Sequence, residues 1–122
     1  MKIIDTKTHG YMDYIMGIFL IASPSLFSFN VNAIESTVFY IVGVTAIIYS
    51  LLTNYELGFL KIIPMKGHLA LDIFSGIFLA ASPWLLGFAE IVYMPHLVLG
   101  IIEIGAALFT TSKSRIEIKY RQ

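Results

Sequence analysis

Residues 8 to 29 and 67 to 88 are two copies of one segment, and this repeat constrains the fold more than any other feature of the chain. A shift of 59 residues (68 − 9) places His9 on His68, Asp13 on Asp72, Gly17 on Gly76 and Ser23-Pro24 on Ser82-Pro83. The isoleucine-phenylalanine-leucine run 18 to 20 falls on 77 to 79, Ala22 on Ala81, Leu26 on Leu85 and Phe29 on Phe88, which makes 11 identities in 22 aligned positions. A duplication of this length signals two pseudo-symmetric halves. The polar residues then come in matched pairs, so any site they build is expected to be shared between the halves.

Composition decides the medium. Hydrophobic residues make up 57% of the chain and charged residues 13%, with a mean hydropathy of +0.81; an ordinary globular chain carries about 25% charged residues. Four apolar stretches, about 9 to 29, 36 to 54, 68 to 88 and 95 to 112, each approach the roughly 20 residues that cross a bilayer core about 30 Å thick. Backbone in lipid must satisfy its own hydrogen bonds, which selects helices or a closed barrel, and nothing here alternates with period two. The expectation is an all-α membrane protein, a single transmembrane domain over residues 1–122 with four transmembrane helices. The second and fourth stretches match weakly at a shift of 57, Gly43 on Gly100, Ile47 on Ile104, Leu51 on Leu108 and Thr53 on Thr110. The unit is therefore a helical hairpin duplicated in tandem, repeat one about 8–58 and repeat two about 67–112. The hairpins insert in one direction about an axis along the membrane normal.

The charges orient it. Lys2 and Lys7 precede the first helix, Lys61 and Lys66 lie between the second and third, and Lys113, Arg115, Lys119 and Arg121 follow the fourth. The connections near 30–35 and 89–94 carry only Glu35 and Glu90. This partition, eight basic residues to none, puts both termini in the cytoplasm. The basic segment 113–122 is expected to lie against anionic headgroups. The first residues offer no small-residue cleavage site, so no removable signal peptide is expected. The absence of cysteine excludes disulfides and thiolate metal sites. A net charge of zero argues against nucleic-acid binding. The expected partners are the lipid bilayer and a second copy of the chain. Small-residue stripes (Gly17; Ser75, Gly76 and Ala80; Gly43 and Ser50; Gly100 and Ala107) allow close helix approach, and one pair of hairpins is thin cover for the ionisable groups.

Thr6 or Thr8 is a candidate cap for the first helix and Ser36 for the second, while Pro64 and Pro95 stand where a first-turn proline is tolerated. Pro24 and Pro83 each remove a backbone hydrogen bond late in a helix, from the carbonyls of Leu20 and Leu79, and predict kinks there. Ser23 and Ser82 can add to the bend by bonding a carbonyl one turn back. Trp84 sits at the depth of the outer aromatic belt. Ser82-Pro83-Trp84, with its degenerate copy Ser23-Pro24-Ser25, resembles the SPW-repeat family of small bacterial membrane proteins. The resemblance implies a membrane-embedded helical protein of the bacterial inner membrane and supplies no established reaction.

Six ionisable side chains fall inside the apolar stretches: His9, Asp13, His68, Asp72, His96 and Glu103. An intramembrane carboxylate costs roughly 2.5 to 3.5 kcal/mol, so such groups face a bundle interior or a water-filled cavity. His9 with Asp13, and His68 with Asp72, share one helical face at a spacing of four. Glu103 lies nearer the midplane, and His96 returns toward the outer surface on the same face. Three readings are open. The first is structural, a helical bundle joined by paired His-Asp contacts and a protonated Glu103. The second is a proton or cation path from one surface to the other. The third is a metal or haem site, since two histidines and two aspartates at one depth suit a divalent ion, or the aspartates only orient the imidazoles. No Gly-rich phosphate loop or serine elbow supports an enzyme.

Overall fold

The computed structural model describes residues 2–121, with side chains through Lys119; Met1 and Gln122, the ends of the expected domain and tail, lie outside the described residues. Five helices follow in order: α1 Thr6–Leu26, α2 Ile34–Leu51, α3 Met65–Leu85, α4 Met94–Leu108 and α5 Arg115–Arg121. Two of them, α2 and α3, are long and apolar enough to cross a membrane, and α4 is a shorter apolar helix. No strand is present among the described residues, only two isolated backbone bridges, Ile4 with Thr110 and Thr53 with Ile63.

Helix starts differ from the sequence reading. Asp5, not Thr6 or Thr8, caps α1, its carboxylate accepting the Thr8 N–H at 2.7 Å. Hydrogen bonds from Thr8 hold the Asp5 carboxyl below its usual range. Helix α2 begins after Ala33 with no side-chain cap, because Ser36 is spent elsewhere, its hydroxyl donating to the Asn30 carbonyl at 2.7 Å. Pro64 precedes α3 and Pro95 stands in the first turn of α4. Helix α1 spans 21 residues, about 32 Å at 1.5 Å per residue. That length comes from an early start at Thr6 and not from running on to Phe29.

Both prolines lie in the last turn of their helices. The Ser82 hydroxyl donates to the Leu79 carbonyl at 2.7 Å, the acceptor that Pro83 leaves without an amide partner. Ser23 bonds Phe19 at 2.6 Å instead. Beyond each helix the chain turns through a left-handed residue, Gly87 (φ 77°) after α3 and Ser28 (φ 58°) after α1. Glycine takes that conformation without strain, and serine at the matched position does so at a cost.

Each hairpin closes on a pair of glycines. A Cβ on Gly43 would lie 2.8 Å from the Gly17 carbonyl, and one on Gly100 would lie 2.6 Å from the Gly76 carbonyl. Backbones this close exclude any larger residue, and in lipid such packing takes the place of a hydrophobic driving force. Between hairpins, α2 against α3 makes the most extensive helix contact.

The fourth apolar stretch does not remain helical to residue 112. Helix α4 has 15 residues, about 22 Å. The backbone leaves the helix because the Phe109 carbonyl accepts the N–H groups of Ile3 and Ile4, both at 2.9 Å, and the Thr111 N–H donates to Ile4 at 3.0 Å. The first repeat does the same: the Leu52 carbonyl accepts from Ile62 and Ile63 at 2.7 and 2.8 Å, and the Asn54 N–H donates to Ile63 at 2.7 Å. Each segment ahead of an odd helix is thus pinned to the end of an even one. The three segments rich in Lys and Arg gather at this end of the bundle.

The basic segment forms α5 and bonds back to the start of a long helix. A Glu117 carboxylate oxygen accepts the Met65 N–H, the first of α3, at 2.9 Å. Glu56 meets the start of α1 by accepting the Thr6 hydroxyl at 2.7 and 2.9 Å. A carboxylate at each of these helix starts complements the positive end of the helix dipole.

Candidate functional site

At the same end of the bundle, facing turns of α1 and α3 bring His9, Asp13, His68 and Asp72 together. The His9 Nε2 lies 2.7 Å from Asp72 Oδ2 and 3.0 Å from Asp13 Oδ1. His68 Nε2 lies 3.0 Å from Asp13 Oδ2 and 3.2 Å from Asp72 Oδ2. The four side chains are at most 9% exposed, Asp13 being the most open. The rings of His9 and His68 meet edge to face with centroids 5.4 Å apart.

Two threonines that the sequence showed only as a weak repeat match complete the arrangement. His9 Nδ1 is 2.7 Å from Thr110 Oγ1, and His68 Nδ1 is 2.8 Å from Thr53 Oγ1. Each hydroxyl already donates its one proton to the carbonyl a turn back, Thr110 to Ala106 and Thr53 to Tyr49, both at 2.6 Å. A threonine hydroxyl has a single proton and two acceptor lone pairs. Both imidazoles must therefore donate from Nδ1, and both aim Nε2 at the carboxylates. This pairing crosses the hairpins, since the His9 partner stands at the end of α4 and the His68 partner at the end of α2.

The aspartates have their own donors. The Tyr49 hydroxyl donates to Asp72 Oδ1, and the Tyr55 hydroxyl to Asp13 Oδ2 at 2.8 Å. Burial, together with the Asp13 charge, pushes the Tyr55 phenol above its usual range and keeps it a donor. Neither tyrosine was singled out from sequence. Tyr49 lies one turn before Thr53, which is the signal that could have found it; Tyr55 sits in a connection and carries no periodic signal.

Glu103 stands beside this group on α4. Its Oε1 is 3.1 Å from the Ser75 hydroxyl and 3.4 Å from that of Tyr49, and its buried Oε2 has no partner. A cavity of about 30 Å³ separates α1 from α4, lined by residues that include His9, Asp13, Asp72, Glu103, Ala46 and Ala106. It is large enough for water or an ion.

His96 is not brought to the site. Its Nε2 donates to the Glu35 carbonyl at 2.9 Å, and its ring stacks 4.0 Å from Phe39 with Phe88 and Phe29 close by. His96 and Phe39 are matched positions of the repeat (96 − 39 = 57), as are Phe29 and Phe88. Leu20, Val38, Val42 and Leu79 complete this apolar cluster. No polar ladder therefore links His96 to Glu103 among the described residues. One chain already buries His9, His68, Asp72, Glu103 and His96 to 9% exposure or less, so their cover does not require a second copy. Ser23 and Ser82 are buried at the far helix ends, and Trp84 is exposed beside Tyr93.

No curated protein and no solved structure matches the chain. The model of the SPW repeat domain matches residues 7–110, from the first turn of α1 to Thr110 just past α4. A match of that extent takes in both hairpins and the site between them, and this membrane protein belongs to the SPW repeat family.

Proposed function

We propose that the chain spans the membrane four times, with both termini cytoplasmic, and that its two hairpins enclose an intramembrane cation site formed by His9, Asp13, His68 and Asp72. The observation that carries this is the commitment of both Nδ1 protons to Thr53 and Thr110. Each Nε2 then faces carboxylate oxygens within 2.7 to 3.2 Å. Two lone pairs against two carboxylates repel, so a proton or a metal ion must stand between each ring nitrogen and the oxygens it faces.

Several features support the placement in the bilayer. All four long helices turn large apolar side chains outward, among them Ile15, Ile18, Ile41, Ile48, Phe74, Ile77, Ile101 and Ile102. Such surface is tolerated in lipid and not in water. The short α4 is accommodated by local thinning of the bilayer or by flanking anchors. The Ser-Pro pairs bend the outer ends of α1 and α3 into the turns at Ser28 and Gly87.

A second reading, a permanently protonated clamp of purely structural role, is favoured by the His9–Asp72 and His68–Asp13 contacts, which join the hairpins. Nitrogen-15 correlation spectra of the two histidines in micelles test what the readings share. Both Nδ1 atoms are expected to carry a proton. An Nδ1 found without one in either ring removes the cation site. Reporter fusions after Gln122 and within residues 30–35 test the orientation, and an external C-terminus overturns it.

A further inference from the structure

The same four residues point to the identity of the cation, an inference that rests on the cation-site reading above. We propose that His9 Nε2, His68 Nε2 and one oxygen each from Asp13 and Asp72 bind a single divalent transition-metal ion of the zinc class.

Geometry comes first. One donor atom from each residue lies within 4.8 Å of all the others. Tetrahedral zinc with bonds of about 2.0 to 2.2 Å separates its donors by roughly 3.3 to 3.5 Å. With either Asp13 oxygen as the ligand, three nitrogen–oxygen distances of 2.7 to 3.2 Å open slightly to reach that spacing, and the donors standing as much as 4.8 Å apart draw together around the ion. The space suits an ion, and a cavity of about 30 Å³ beside it admits no porphyrin.

Hydrogen bonding supplies an independent observation. His68 is fully buried, yet its Nε2 makes no hydrogen bond, although carboxylate oxygens lie 3.0 and 3.2 Å away. A buried nitrogen without a partner, aimed into a cluster of oxygens, has the disposition of a ligand atom. Ser50 Oγ, His96 Nδ1 and Glu103 Oε2 are also buried without partners, and His68 Nε2 differs from them in being a ring nitrogen 3.0 and 3.2 Å from two carboxylate oxygens.

The surroundings resemble those that tune metal ligands. A ligating imidazole usually donates its other N–H to an oxygen that fixes its tautomer, and ligating carboxylates are themselves hydrogen-bonded. Thr53 and Thr110 do the first, and Tyr49 and Tyr55 the second. Two neutral imidazoles with two carboxylates carry a charge of −2, which one divalent ion cancels inside a low-dielectric medium. Nitrogen and oxygen donors without thiolate favour Zn²⁺, Fe²⁺ or Mn²⁺ over Cu⁺, and the absence of a pure oxygen shell disfavours Mg²⁺ and Ca²⁺.

The test uses the full chain in detergent, freed of metal by chelation and titrated calorimetrically with Zn²⁺, Mn²⁺ and Mg²⁺. One Zn²⁺ per chain is expected, bound more tightly than Mn²⁺, with no measurable Mg²⁺ uptake. X-ray absorption of the zinc-loaded protein should report four nitrogen or oxygen neighbours, imidazole among them. Thr53→Val and Thr110→Val keep all four ligands and should each weaken binding 10- to 100-fold. His68→Gln should abolish it, with helicity by circular dichroism showing that the chain still folds. Absence of stoichiometric zinc in the unmutated protein overturns the metal proposal. If both Nε2 atoms then carry protons, the cation-site reading survives in its protonated form. If a ring lacks its Nδ1 proton, both fall.

Discussion

The two seams between the hairpins are built from matched positions and are nevertheless unlike. Where α2 meets α3, Tyr49 reaches across to Asp72 and Glu103, and the seam is filled. Where α1 meets α4, the position matching Tyr49 is Ala106 (106 − 49 = 57), and a cavity of about 30 Å³ remains. Glu103 and Ser75 have Ala46 and Met16 as their counterparts, so Tyr49 of the first repeat and Ser75 and Glu103 of the second each face an apolar residue at the matched position. The His-Asp pairs themselves are unchanged between copies. Duplication thus preserved the centre and let its walls diverge, giving a symmetric core one closed side and one open side. A groove of about 300 Å³ lined by Phe19, Phe27, Met94, Pro95, Val98 and Leu99 continues the open side toward the other end.

The sharpest way to break this comparison is to remove one carboxylate from each seam. Asp72→Ala takes the more buried of two counter-charges from the imidazoles and leaves only Asp13 beside them, and should cost about 3 to 5 kcal/mol. Asp13→Ala removes the more open carboxylate, 9% exposed against 3% for Asp72, and should cost less, about 1 to 3 kcal/mol. Unfolding by SDS titration in mixed micelles measures both, and equal losses would remove the distinction between the seams. Tyr49→Phe should follow at about 1 to 3 kcal/mol, because Asp72 loses a buried donor. Ala106→Val adds two methyl groups on the open side and should change stability by less than about 1 kcal/mol, since the cavity receives them. A large loss there would show that the cavity wall cannot accept volume.

The smallest effect calibrates the rest. Asp5→Ala touches neither seam and removes the α1 cap. The Asp5 carboxyl is held below its usual range by hydrogen bonds from Thr8 that are stronger to its charged form. Its contribution is therefore present above the ordinary carboxylate range and is lost as the pH falls through the depressed value. The variant should be slightly less stable at neutral pH, and the gap should close in acid. A gap that persists at low pH would point to a cause other than the charged cap.

How much of this could be read beforehand follows from the range of each interaction. The hairpin duplication and the meeting of His9, Asp13, His68 and Asp72 were legible because identity at a fixed shift survives without coordinates. Thr53 and Thr110 were visible as a matched pair, but a hydroxyl paired with a ring 101 residues away leaves no local pattern. Helix α4 was overestimated because hydropathy continues past Leu108 while the backbone turns aside to pair with Ile3 and Ile4. Helix α5 was missed because Glu117 looks like one acid among bases, whereas it caps α3 from 52 residues away. The asymmetry of the seams lay in the mismatches of the repeat, at Tyr49, Ser75 and Glu103, while attention follows its identities.

The crossed threonine bonds carry a consequence for assembly. Of the site's residues, one hairpin alone holds one histidine, one aspartate and one threonine, but its threonine serves the other hairpin's ring. Half of the gene could not make half of the site. A single-hairpin chain would need a second, parallel copy to orient its imidazole, and the centre would form only on the two-fold axis of that dimer. Fusing two copies into one polypeptide frees assembly from chain concentration and allows each copy to mutate on its own side. The asymmetric walls are then what covalent linkage permits, because a mutation in a homodimer would have altered both seams at once.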